Sequence, residues 1–134
     1  MREHAGPPLN ILLAEDEPAM RELFRRFLVE AGHQVAAVAD GADALEILLG
    51  AQFQVAILDV NMPRMKGPDV IAQLHLTVPR DAWPRIIIIS ADSTPASRDA
   101  ALASGADVYL CKPFEQITLL SALREGDVDR PEIT

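Results

Sequence analysis

Val55-Ala56-Ile57-Leu58-Asp59-Val60-Asn61-Met62-Pro63-Arg64-Met65-Lys66-Gly67 is an unbroken apolar run that stops at a carboxylate and passes into a Pro/Gly loop. Consecutive apolar residues without alternation predict a strand covered on both faces, which is how parallel strands in α/β proteins read. Sheets of that kind bind their ligands at the carboxyl ends of the strands. Asp59 therefore stands at the edge where such a fold does its chemistry, and what else reaches that edge decides the function.

Outward from this run, the chain alternates between short apolar strands and amphipathic helices. Leu9 to Ala14 is a second apolar run, ending in Glu15-Asp16-Glu17, and Pro18 is placed to open a helix. Met20, Leu23, Phe24, Phe27, Leu28 and Ala31 recur at helical steps, and Gly32 closes that helix. Gln34 to Ala39 forms the next strand, after which Asp40 caps a helix whose apolar stripe is Ala44, Leu45, Leu48 and Leu49. Gly67-Pro68-Asp69 opens a third helix with Val70, Ile71 and Leu74 inward. It leads into a long connection, Leu76 to Pro84, that Trp83 is expected to pack against the body.

Ile86-Ile87-Ile88-Ile89 is the clearest buried strand and stops at Ser90-Ala91-Asp92. Thr94 to Ser104 is an Ala-rich helix whose only large apolar residue is Leu102, so it buries little and is expected to be the loosest. Gly105 ends it, and Val108 to Cys111 is the last strand. Lys112-Pro113-Phe114 begins the last helix, with Ile117, Leu119, Leu120 and Leu123 inward. Five such units predict one open parallel sheet with helices on both faces, the flavodoxin-like (βα)5 doubly wound fold with strand order 2-1-3-4-5. Residues 1–8 read as an N-terminal lead, 9–125 as the domain and 126–134 as a polar, frayed tail.

Composition narrows the classes further. At 134 residues one domain with a proper core is expected. No apolar run approaches bilayer length and the first residues have no apolar segment, which predicts a cytoplasmic protein with no membrane partner. The lone Cys111 offers no internal disulfide and no zinc spacing, and reads as a small strand hydrophobe. A net charge of -8 would repel a phosphate backbone, so direct nucleic-acid binding is not expected. His4, His33 and His75 read as surface residues, and Met62 and Met65 as loop packing.

The residues just past the strands are Glu15 and Asp16, then Asp40, Asp59, Ser90 and Lys112. In the predicted strand order the second strand is outermost, which leaves Asp40 as a helix cap and lets the others converge. Three carboxylates close together repel unless a cation joins them, and an oxygen-only site suits Mg²⁺. A hydroxyl and an ammonium complete a set suited to phosphoryl oxygens.

Glu15-Asp16, Leu58-Asp59-x-Asn61-Met62-Pro63-x-Met65-x-Gly67, Ser90-Ala91 and Lys112-Pro113-Phe114, each at its strand end, together resemble the receiver domain of two-component response regulators. The resemblance runs from about Leu9 to about Leu123. It implies that Asp59 accepts a phosphoryl group from a phosphohistidine on a sensor histidine kinase or histidine phosphotransfer protein. Asp16, Asp59 and the main-chain carbonyl of Asn61 would hold Mg²⁺, with Glu15 acting through a bound water. Lys112 would pair with the phosphoryl oxygens, Ser90 would close onto them, and Tyr109 matches the aromatic switch position. Asn61 and Asp92 occupy the positions that tune phosphate lifetime, and the Lys112-Pro113 bond is expected to be cis. Glu15 in place of the usual aspartate, Ser90 in place of threonine, the long connection from Leu76 to Pro84 and the Ala-rich fourth helix are the departures.

Such a domain passes its signal to a downstream protein target and assists only its own phosphorylation and dephosphorylation; a homodimer formed on phosphorylation is left open. Two competitors stand beside it. A Mg²⁺-dependent aspartyl-phosphate phosphatase or phosphotransferase usually carries a second acid two residues after the nucleophile, where this chain has Asn61. A vestigial receiver acting purely by protein interaction would not need the intact set of Asp16, Asp59, Ser90 and Lys112.

Overall fold

A computed structural model of the chain describes residues 6–124. Residues 1–5 and 125–134, and with them His4 and the tail expected from 126, lie outside the described residues. The elements alternate as expected: β1 Asn10–Ala14, α1 Pro18–Glu30, β2 Gln34–Val38, α2 Gly41–Gly50, β3 Val55–Asp59, α3 Gly67–Thr77, β4 Arg85–Ser90, α4 Pro95–Ser104, β5 Val108–Cys111 and α5 Gln116–Ala122. All strand pairs are parallel and the sheet order is β2-β1-β3-β4-β5. No helix among the described residues is long and apolar enough to cross a membrane.

The unbroken apolar runs follow from the two-sided burial of the sheet. Successive side chains on a strand point to opposite faces, so Ile86 and Ile88 enter one core and Ile87 and Ile89 the other. The first core lies under α2, α3 and α4 with Leu12, Leu58, Ile71 and Leu74; the second lies under α1 and α5 with Leu13, Ile57, Phe24 and Leu28. Each fully buried isoleucine contributes about 1.5–3 kcal/mol, so the central strands anchor both layers.

The helix ends match their chemistry. Pro18 begins α1, whose cap Glu17 accepts from the Met20 amide, and Asp40 accepts from the Asp43 amide at the start of α2. Gly32 and Gly105 follow α1 and α4 with φ of 99° and 125°, the left-handed region where a residue without Cβ is unstrained. The long connection after α3 contains a 3₁₀ turn, Arg80–Ala82, and Trp83 packs as expected. Its Nε1 donates to the Val78 carbonyl, His75 meets the ring edge-on, and the Arg80 guanidinium lies 4.2 Å from the ring centroid.

Several apolar assignments need correction. Leu49 is half exposed rather than inward, because Ala44, Leu45 and Leu48 already fill the stripe that α2 turns to the sheet. Leu23 lies at the margin of α1 at 40% exposure while Phe24 and Leu28 are buried. The last helix starts at Gln116, not at Lys112-Pro113-Phe114. Pro113 follows a cis bond, and Phe114 is drawn onto the Phe24 ring at 4.9 Å before the helix begins. Leu119 and Ala122 of this short helix and Leu123 just past it are buried, Leu120 packs partly buried against the same core as expected, and Ile117 is half exposed. Only Ala101 of α4 is buried, in keeping with the small apolar surface of that helix.

His33, expected at the surface, is buried. Its Nδ1 accepts a 3.0 Å hydrogen bond from the Leu9 amide, which requires the neutral ring. Desolvation first, and the charge of Arg124 second, hold its pKa below the usual histidine value. A depressed folded-state pKa contributes stability that is fully present above the unfolded value, about 6.5, and is lost as pH falls toward the folded one. Urea titrations at pH 7.5 and pH 5.5 should therefore show the wild type losing stability, by no more than about 1.4 kcal/mol per pH unit. The loss should be smaller in His33→Gln; an equal loss in both proteins would refute the assignment.

Candidate functional site

Parallel register brings the carboxyl ends of β1, β3, β4 and β5 to one edge. Each strand stops there because the apolar run gives way to a polar residue, and the backbone bonds continue briefly beyond it. The Lys112 amide donates to the Ser90 carbonyl at 2.7 Å, and the Glu15 amide to the Val38 carbonyl at 3.1 Å.

Asp59, the last residue of β3, is buried, and each of its carboxylate oxygens has a partner. Oδ1 accepts from the Asn61 amide at 3.1 Å, and Oδ2 accepts from Lys112 Nζ at 2.9 Å. Lys112 Nζ also lies 2.8 Å from Glu15 Oε1, close enough for an ion pair although its geometry falls outside a well-formed hydrogen bond. Glu15 Oε2 accepts from the Glu17 amide at 3.1 Å. The ammonium thus bridges two buried carboxylates.

Burial pushes the Glu15 carboxyl above its ordinary range, with Asp59 adding to this and Lys112 and the Glu17 amide opposing it. Burial also acts to lower the Lys112 pKa, but the neighbouring Asp59 and Glu15 carboxylates outweigh this and hold the net shift upward. Lys112 is therefore a fixed cation at this edge.

Asp16 is exposed beside this pair. Glu15, Asp16 and Asp59 each offer a carboxylate oxygen, and these atoms lie within 4.8 Å of one another. An all-oxygen donor set with one exposed arm suits a hard cation that keeps part of its water shell, and fits Mg²⁺. Arg21, which the sequence did not single out, holds this loop from α1. Its guanidinium donates to the Glu15 carbonyl at 2.9 Å and, more weakly, to that of Asp16 at 3.4 Å.

Ser90 is buried at the end of β4, and its Oγ accepts from the Asp92 amide at 3.0 Å. Tyr109 is buried in β5, and its hydroxyl donates to the Asp92 carbonyl. The Asp92 carboxylate turns toward α4, accepting from the Thr94 amide at 2.9 Å and from the Ser97 hydroxyl at 2.5 Å. These bonds, Ser97 first, hold its pKa below the usual range. Asp92 therefore joins Ser90, Tyr109 and the first turn of α4. A groove of about 370 Å³ beside them is lined by Asn61, Ser90, Asp92 and Ser97 among others. The larger hollow, about 530 Å³, lies among residues that precede β3 and β4 and holds none of these groups.

The predicted residues Glu15, Asp16, Asp59, Lys112, Ser90 and Asn61 thus meet at one edge, with Asp92 bonded to Ser90 and Tyr109 bonded to Asp92. Asp40 stays apart on the β2 side, where it binds Arg64. Gly67 is required by a close approach: a Cβ there would lie 2.6 Å from the Asp59 carbonyl oxygen.

A doubly wound five-stranded parallel sheet in the order 2-1-3-4-5, with an acid, hydroxyl and lysine cluster at its carboxyl edge, defines a CheY-type α/β signalling domain. The chain belongs to the response regulator receiver domain family, whose model matches residues 11–124.

Among its relatives, the transcriptional regulatory protein TcrA of Mycobacterium tuberculosis is 37% identical over 127 residues, covering 92% of this chain and 49% of TcrA. The response regulator MprA of a Mycobacterium species is 38% identical over 117 residues, covering 87% of this chain and 50% of MprA. The chain spans about half the length of the curated relatives it matches. Among solved structures, the chemotaxis response regulator CheY4 of Vibrio cholerae superposes with a TM-score of 0.80 at 30% identity, over 88% of this chain and 98% of that one. The signal receiver domain of the putative response regulator NarL from Mycobacterium tuberculosis gives 0.77 at 31%, over 87% and 94%.

Proposed function

We propose that residues 9–125 form a receiver unit in which Asp59 accepts a phosphoryl group from a phosphohistidine of a sensor histidine kinase or histidine phosphotransfer protein. The observation that carries this reading is the convergence on Asp59 of Lys112 at 2.9 Å and of the Glu15 and Asp16 carboxylates within 4.8 Å. An Asp59 carboxylate oxygen attacks phosphorus, the bond from phosphorus to the donor imidazole breaks, and the imidazole keeps the electron pair. The product is an aspartyl acyl phosphate.

Asp16, Asp59 and the Asn61 carbonyl would hold Mg²⁺, with Glu15 behind a bound water. When bound, the ion supplies charge neutralisation for the transferring phosphoryl oxygens. Lys112 is already poised to follow those oxygens, since it bonds the acceptor carboxylate. Ser90 lies on the same edge with its Oγ held by the Asp92 amide, which leaves the hydroxyl proton for donation. Asn61 and Asp92 line the groove beside this edge and are proposed to set the lifetime of the acyl phosphate.

A new phosphoryl group brings nearly two negative charges and strong acceptors. It draws Ser90 and Lys112 toward it, and Ser90 and Tyr109 are both bonded to Asp92. The output surface is therefore assigned to α4, β5 and α5, where a downstream protein binds. The unit is proposed to act in the cytoplasm, on proteins rather than on nucleic acid directly.

Amide NMR with beryllofluoride and Mg²⁺ tests this. Shifts should spread from the residues after Asp59 to Ser90, Tyr109 and α4. Shifts confined to α2 and α3 would overturn the output assignment.

A further inference from the structure

We propose that Arg64 is a positioning residue for the metal-binding loop, acting through Asn61; this rests on the receiver reading above. Arg64 has a φ of 67° and is the non-glycine residue with positive φ among the described residues. A side chain with a Cβ is strained there, so something must hold the loop in this conformation. Arg64 itself does so from the far end of its side chain. Nε donates to Asp40 Oδ2 at 3.0 Å, and one terminal nitrogen donates to Asp40 Oδ1 at 3.1 Å and to Asp43 Oδ1 at 2.7 Å. Asp40 is fixed in turn as the cap of α2, where Oδ1 accepts from the Asp43 amide at 2.8 Å. A guanidinium fork on a carboxylate sets direction as well as distance.

The backbone beside Arg64 is held at the same place. The α2 residue Gly41 presses so closely on Met65 that a Cβ would lie 1.9 Å from the Met65 carbonyl oxygen. At the other end of the loop the Gly67 amide donates to the Val60 carbonyl at 3.2 Å. Asn61, whose carbonyl is the proposed ligand, lies between these two fastenings, and its amide donates to Asp59. The position of that carbonyl therefore depends on a loop that Arg64 docks onto α2. Nothing local in the sequence announces this, since Asp40 is 24 residues away.

The sign of the effect separates positioning from charge. Removing a cation near an acidic pocket by itself strengthens Mg²⁺ binding. A positioning role predicts the opposite, a Kd weaker by about threefold to tenfold in Arg64→Gly. Glycine accepts a positive φ without strain, so the thermal midpoint of this variant should hold or rise while affinity falls. Arg64→Lys, which keeps the charge and loses the fork, should not restore affinity.

The test is calorimetric titration with Mg²⁺, beside amide exchange of the metal-free proteins across Val60–Lys66. Exchange should rise in Arg64→Gly within this loop and not in α3. Tighter or unchanged Mg²⁺ binding in Arg64→Gly, or unchanged loop exchange, overturns the Arg64 assignment alone. A wild-type chain that takes up no Mg²⁺ overturns the metal reading together with the inference built on it.

Discussion

Lys112→Met is expected to bind Mg²⁺ more tightly than the wild-type chain and yet to become phosphorylated about a hundredfold more slowly. The two effects share one geometry. Lys112 Nζ sits 2.9 Å from Asp59 and 2.8 Å from Glu15, so in the metal-free protein it is the cation that keeps these carboxylates together. Removing it leaves a more negative pocket, which attracts a divalent ion more strongly. It also removes the ammonium that would follow charge onto the phosphoryl oxygens, and metal affinity gained in the ground state does not replace that.

Glu15 is fully buried, so without metal the variant should also be less stable, by about 2 kcal/mol. Mg²⁺ should recover much of that loss. Titration calorimetry and the rate of adduct formation from acetyl phosphate check the two arms. A variant that is phosphorylated at the wild-type rate would remove Lys112 from the chemistry.

Gly41→Ala should lower stability by about 3 kcal/mol. The added methyl would lie 1.9 Å from the Met65 carbonyl oxygen, a backbone atom of the loop that follows Asp59. Neither side can yield cheaply, because α2 is capped by Asp40 and the loop is fastened through Arg64. Gly50, at the last position of the same helix, has nothing within 4 Å of its absent Cβ. Gly50→Ala should therefore leave stability unchanged or raise it by up to about 1 kcal/mol. Urea denaturation of both variants makes the comparison. Equal behaviour of the two would mean that α2 does not bear on the loop as described.

Much of the fold was legible because two-sided burial leaves a plain mark. Ile86 to Ile89 and Val55 to Leu58 had to be strands between two helical layers, and the polar residue ending each run had to lie at the sheet edge. The same logic placed Glu15, Asp16, Asp59, Ser90 and Lys112 together. Where burial is partial the mark fades: Leu49, Leu23 and Ile117 have the composition of inward residues, yet neighbours on the same helices fill the inward stripe and leave these outside.

Polar pairings away from the strand ends were not legible. His33 reads as any surface histidine until the Leu9 amide is seen to donate to it. Arg21 and Arg64 read as solvated charges until their carbonyl and carboxylate partners are known. Periodicity records which face of an element is apolar, and it carries nothing about which charged side chains reach across a loop.

We propose above all that Asp59 is the phosphoryl acceptor and needs a divalent cation. Intact-mass measurement after incubation with acetyl phosphate tests it most directly, with wild type and Asp59→Asn run with and without Mg²⁺, and beryllofluoride binding measured in parallel. A single phosphoryl adduct is expected only in the wild type with Mg²⁺. An adduct that persists in Asp59→Asn or without metal would contradict the claim. So would the absence of any adduct in a wild-type chain that also fails to bind beryllofluoride, since rapid hydrolysis could not then explain the loss.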